Sequence, residues 1–271
     1  MLPLILSTAC DQSQTDFRPG ARMTRSKSIW LAAIMLAVPA SGATAADQAV
    51  VLKAAPAAQK IEYGNLYFGF DWTSHRSLAG YAGVLYAPEG MHKSGIRLSA
   101  FGLGGDYQYH GDVGETFKGR FVSVDALIGW SHVFNNGAFT VQVGGNYQDH
   151  RIRPFDANNT VVGSKTGFKV QADLWVNPTQ RTLIYALGSY STAFNTYYTV
   201  GRLGYDFLGK GIFFGPEVGG LGNDRTDQFR AGAHITGLMI GPGKLTLSSG
   251  WMRERDEGSG WYATGTLDFS F

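Results

Sequence analysis

Cysteine is nearly missing: Cys10 is the one thiol in 271 residues, which excludes a disulfide framework and a cysteine-based metal centre. Long apolar runs are missing as well. Beyond the first 45 residues no stretch approaches the roughly 18 apolar residues of a membrane-crossing helix, so helical spans are excluded. Charge is sparse and balanced, with a formal net charge of +2, and offers no basic face to nucleic acid. His75, His92, His110, His132, His150 and His234 are scattered without zinc-ligand spacing. Gly102-Leu103-Gly104-Gly105 lacks the strand-to-helix context of a phosphate loop. No metal, cofactor or nucleic-acid partner is expected.

Glycine and aromatics are what the chain has in excess, with 37 Gly, 17 Phe and 13 Tyr. Its end alternates: Trp261, Ala263, Gly265, Leu267, Phe269 and Phe271 form an apolar set, and Tyr262, Thr264, Thr266, Asp268 and Ser270 the polar set between them. Period two means a strand with one greasy face and one wet face. An ending of Leu267, Phe269 and a terminal Phe271 resembles the sorting signal that insertion machinery reads on the last strand of an outer-membrane barrel. The start of the chain agrees. Arg25 and Lys27 form a basic region, Ile29 to Val38 an apolar stretch of about ten residues, and Ala43-Thr44-Ala45 an A-x-A cleavage site. Residues 23–45 therefore read as a secretory signal peptide and residues 1–22 as an extension from a mis-assigned start codon. Leu6-Ser7-Thr8-Ala9-Cys10 is a faint match to a lipoprotein cleavage box with no basic residue before it. Mean hydropathy of −0.10 fits strands that are half wet.

Residues 46–61 carry no periodicity and read as a flexible periplasmic leader. From residue 62 the alternation repeats. Leu66, Phe68, Phe70 and Trp72 oppose Tyr67, Gly69, Asp71 and Thr73; Val122, Val124, Ala126, Ile128 and Trp130 oppose Ser123, Asp125 and Ser131. The glycines at Gly104 and Gly105 suggest a bulge. Continuing to the end gives about twelve strands, the even number expected of a single-chain bacterial barrel. The expected fold of residues 62–271 is all-β: a transmembrane, antiparallel, up-and-down β-barrel.

Connection lengths alternate accordingly. Asn135-Asn136-Gly137, 178–181, Gly209-Lys210-Gly211 and 241–244 have tight-turn chemistry and belong on the periplasmic side. Residues 110–118, 149–165, 222–227 and 253–260 are longer and belong outside. Residues 88–94 are long for a periplasmic turn, and the bend near Asn195 is short for an outer loop. Trp130, Phe134, Phe139, Phe207, Phe269 and Phe271 would form a periplasmic aromatic belt; Trp72, Tyr147, Phe229 and Trp261 would form an outer one. Outer-membrane lipid is the expected surrounding.

Tyr81-Ala82-Gly83-Val84, Ala87-Pro88-Glu89-Gly90, Ser94-Gly95-Ile96-Arg97-Leu98 and Tyr107-Gln108-Tyr109 resemble the BcsS family of alphaproteobacterial cellulose biosynthesis proteins. The resemblance is sharpest over residues 67–110. It implies a non-enzymatic outer-membrane accessory of cellulose production and secretion, with a glucan chain or secretion components as partners, and it carries over no catalytic residue.

By the same alternation Arg97, Asp125, Lys169, Asp173, Trp175, Arg202, Asp206, Glu217, Arg230, His234 and Asp268 point into the lumen. Their mixed signs favour mutual pairing in a filled interior over an open conduit. Inward Tyr67, Tyr81, Trp175, Tyr198 and Tyr262 could stack on sugar rings. Alternatives are a small diffusion channel and an outer-membrane hydrolase. Ser74-His75, Ser131-His132 and Asp149-His150 are the hydrolase candidates, but sequence neighbours on a strand face opposite ways.

Overall fold

The structure, a computed structural model, describes residues 61–111 and 114–271. The expected extension, the signal peptide and all but the last residue of the leader lie outside the described residues. Twelve strands follow one another: β1 Gly64–Thr73, β2 Ser77–Tyr86, β3 Gly95–His110, β4 Thr116–Phe134, β5 Gly137–Arg153, β6 Gly163–Val176, β7 Thr182–Ser191, β8 Thr196–Tyr205, β9 Phe213–Gly222, β10 Asp227–Ile240, β11 Gly243–Glu254 and β12 Gly258–Ser270. Each pairs with its chain neighbours, and β1 pairs with β12 to close an antiparallel transmembrane barrel. Closure removes every free sheet edge, the condition for a strand in lipid.

The closing seam depends on the last residue. Phe271 donates its amide to the Gly64 carbonyl at 2.9 Å and accepts the Tyr63 amide at 2.7 Å. Gly64 sits beneath the Phe271 ring, where a Cβ would collide with it at 2.6 Å.

Strand length follows the environment. β1, β2, β7, β8 and β9 have 10 residues each, about the 9–11 needed to cross the hydrocarbon at a tilt. β3 to β6 have 16, 19, 17 and 14 residues and rise past that height on the outer side. Their outward faces change chemistry accordingly. Val122, Val124, Ile128 and Trp130 are exposed apolar residues along β4. One step above them, Arg120 pairs with Asp106 and Arg151 with Asp149, each at 2.9 Å. The apolar band also carries exposed Trp130, Phe139, Phe207 and Phe271 toward one rim and Trp72, Tyr147, Phe229 and Trp261 toward the other.

Three local features differ from simple expectation. Pairing of β3 with β4 is continuous through Gly104↔Val122 and Gly105↔Phe121, so no bulge lies there. Gly105 is needed for close approach instead, since a Cβ would meet the Ala79 Cα at 2.7 Å. The register shift falls between Thr236 and Leu238, with Gly237 at φ +92° supplying the backbone that a side chain disfavours. The long 87–94 connection is folded on itself: Glu89 Oε2 accepts the Ile96 amide, and buried Arg97 donates to the carbonyls of Met91, Lys93 and Ile96. The short bend near Asn195 is a 3₁₀ turn, Ala193–Asn195, with Ala193 and Phe194 buried.

Candidate functional site

The lumen collects the inward phase of every strand. It is divided into two packed polar walls. On the first, Asp125 of β4 pairs with Lys169 of β6 and accepts from Asn146 Nδ2 at 2.5 Å. Asn146 Oδ1 in turn accepts from Gln148 and Ser191, each at 2.7 Å. Lys169 also lies 5.6 Å from the Phe101 ring. A carboxylate in a low-dielectric interior must be matched this fully or it would not stay charged.

The second wall is built from β8 to β12 and β1. Arg202 Nε donates to Glu217 at 2.5 Å, and Glu217 also accepts from Ser248 at 2.7 Å and Tyr262 at 2.9 Å. Arg230 makes a two-pronged pair with Asp71 at 2.6 and 3.0 Å, the fork geometry that guanidinium and carboxylate share. Its guanidinium covers the Tyr262 ring at 5.0 Å, and that of Arg202 covers Tyr185 at 5.4 Å. His234 is buried, with Nδ1 2.9 Å from Thr236 and Nε2 3.2 Å from the Leu203 carbonyl.

The remaining expected residues are placed as follows. Asp173 stands opposite Thr140 on β5, and Asp268 opposite Lys244 on β11. Trp175 reaches the periplasmic part of the lumen, its Nε1 donating to Asn177 at 2.9 Å. Asp206 lies one residue beyond β8, in the turn, where it accepts the amides of Gly211 at 2.6 Å and Leu208 at 3.0 Å. Burial pushes its carboxyl up, but the turn amides outweigh that and hold it below the usual carboxylate range. Leu267 and Phe269 pair with Phe68 and Leu66 across the closing seam.

Alternation brought Asp71, Gln142, Asn146 and Gln148 to the inner face without singling them out, and Ser248 was not assigned; the uncharged polar side chains carry no mark, whereas Asp71 is charged and was missing from the expected lumen charges. The outer mouth had no such signal. There Tyr107, Tyr109, Phe117, Phe121, His150 and Phe194 form a chain of ring contacts between 5.1 and 6.2 Å. Asp156 of the 154–162 loop accepts the Tyr109 hydroxyl at 2.6 Å. That bond holds its carboxyl below the usual range, aided by the Asn158 amide. Glu257 binds the His110 amide at 2.6 Å and ring at 3.0 Å, tying the β11–β12 turn to β3.

Two of the three hydrolase pairs, Asp149–His150 and Ser131–His132, are separated, whereas Ser74 and His75 share the β1–β2 turn and both border Gly260. Asp149 faces outward to Ser164 and Arg151, whereas His150 faces inward between Phe121 and Phe194. Ser131 is buried while His132 is exposed. Ser74 accepts the Trp261 amide, and His75 meets Glu254 at 3.3 Å. Among the described residues no group of three or more His, Cys, Asp or Glu could hold a metal.

A closed barrel with an apolar outer band and an ion-paired interior defines a protein of the outer-membrane barrel class. The KdgM porin overlays on 76% of this chain and 99% of its own at 10% identity, with a TM-score of 0.42. OprB of Pseudomonas putida overlays on 78% and 92%, again at 10% identity, with a TM-score of 0.32. No curated protein sequence matches. The model of the cellulose biosynthesis protein BcsS family matches residues 65–271. The chain belongs to that family.

Proposed function

We propose that this protein is a non-enzymatic accessory of cellulose biosynthesis and secretion, seated in the outer membrane. The observation that carries this reading is the family match across the whole barrel, residues 65–271. The site supports it in two ways. Three ion pairs, Asp125–Lys169, Glu217–Arg202 and Asp71–Arg230, tie up much of the lumen charge, which suits a scaffold or receptor better than a reaction centre, and Asp149 and His150 point to opposite faces of the sheet. Deleting the gene should reduce cellulose deposition at the cell surface while synthase activity in isolated inner membranes stays unchanged. Normal deposition would overturn the proposal.

A small diffusion channel is the second reading, favoured by Trp175 and Tyr198, which stay 40% and 38% exposed although they point inward. Steady conductance of purified protein in planar bilayers would support a channel, and electrical silence would remove it.

A further inference from the structure

Five inward aromatics present themselves for contact with sugar, and the structure separates them. Tyr262 is fully buried, hydrogen-bonded to Glu217 and covered by Arg230. The Tyr81 hydroxyl donates to the Gly265 carbonyl at 3.2 Å and lies 2.5 Å from the Thr266 hydroxyl, and the ring fills the space above Gly69. Tyr67 packs over Gly83 and stacks on Phe101 at 6.3 Å. Of these five, Tyr67 and Tyr81 are half-buried, whereas Trp175 and Tyr198 are the most exposed, at 40% and 38%. Both lie between the polar walls, on β6 and β8, flanking β7.

We propose that Trp175 and Tyr198 form a lumenal binding lane for a short, neutral, β-linked glucan segment, a proposal that rests on the cellulose reading above and names its ligand subsite. Spacing fits. Trp175 pairs with Tyr185 and Tyr198 with Ser189 across β7, so their backbone positions are offset by about 13 Å along the strand and about 10 Å across it, roughly 16 Å in all and the length of about three glucose rings. The flat C–H faces of a β-linked chain match exposed aromatic faces, which take up apolar area with defined geometry.

Charge argues for a neutral chain. Lys169, Arg202 and Arg230 are held in ion pairs, and Arg97 is spent on loop carbonyls. No cation of that set is free to bind an acidic sugar. Asp173, beside the lane and opposite Thr140, can accept from sugar hydroxyls and repels a polyanion.

The test is calorimetric titration of the full-length barrel in detergent micelles with cellohexaose. Wild type is expected to bind. Trp175→Ala and Tyr198→Ala should each weaken binding about tenfold, the factor that one lost aromatic contact of ~1.4 kcal/mol carries. Trp175→Phe and Tyr198→Phe should retain it, and heat-dependent gel mobility reports that each variant is folded. α-Linked maltohexaose, which curves, should bind at least about tenfold more weakly. Absence of wild-type binding, or binding that both alanine variants leave intact, would overturn the lane; equal affinity for maltohexaose would overturn the β-linked assignment. None of these outcomes touches the accessory reading, which is decided separately by cellulose deposition in the deletion strain.

Discussion

Glu217 is 5% exposed and receives three donors, Arg202, Ser248 and Tyr262. Truncation to alanine leaves the Arg202 guanidinium buried without its partner, a loss of about 3–5 kcal/mol where such pairs are deeply set. Denaturant unfolding of Glu217→Ala in lipid vesicles should show that loss, and pairing it with Arg202→Met should recover most of it. Asp156 behaves differently because it lies in a loop. Its folded pKa lies below the ordinary 3.8, so the Tyr109 contact contributes fully above about pH 4 and is lost as pH falls through the lower folded value. Hydrogen exchange at the Asn158 and Asn159 amides, corrected for intrinsic rates, should rise below that window. Tyr109→Phe should show the faster exchange already at neutral pH.

β12 closes the barrel, and its last pairing is made by a residue outside the strand. Removing Phe271 deletes the amide that Gly64 accepts and the carbonyl that Tyr63 and Gly64 share. Slower barrel assembly is expected, read as a smaller heat-modifiable fraction in outer-membrane preparations; unchanged assembly would show that Leu267 and Phe269 suffice. The 3₁₀ turn is the other element with a local cost. Phe194 and Asn195 have φ of +52° and +49°, a region that bulky side chains seldom enter. Burial of the Phe194 ring against His150 and beneath Lys165 holds that backbone in place. This element was invisible in the pattern because it has no period: a single turn is selected by what it packs against.

At the scale of the whole molecule the two walls and the outer ring stack decide how much of the lumen remains open. Wild-type protein in planar bilayers is expected to be electrically silent, and Phe194→Ala to show added conductance as the outer stack loosens. A wild-type trace with steady openings would favour the channel reading. The long β3 to β6 wall belongs to this scale too, since it lifts Tyr109, Phe117 and the 154–162 loop above the lipid band.

Period two by itself determined the strands, their inner and outer faces, the even count and the membrane as solvent, because a side chain on a strand has only two directions and lipid accepts only one chemistry. That rule placed Asp125, Lys169, Arg202, Glu217 and Arg230 inside. It could not say that Lys169 meets Asp125 or that Arg230 meets Asp71, which lie far apart in the chain. Those pairings depend on barrel closure and stagger, as do the burial of Tyr262, the aromatic contacts at the outer mouth and the exposure of Trp175 and Tyr198. Contacts across a lumen are set by the circumference, and only the closed tertiary structure has one.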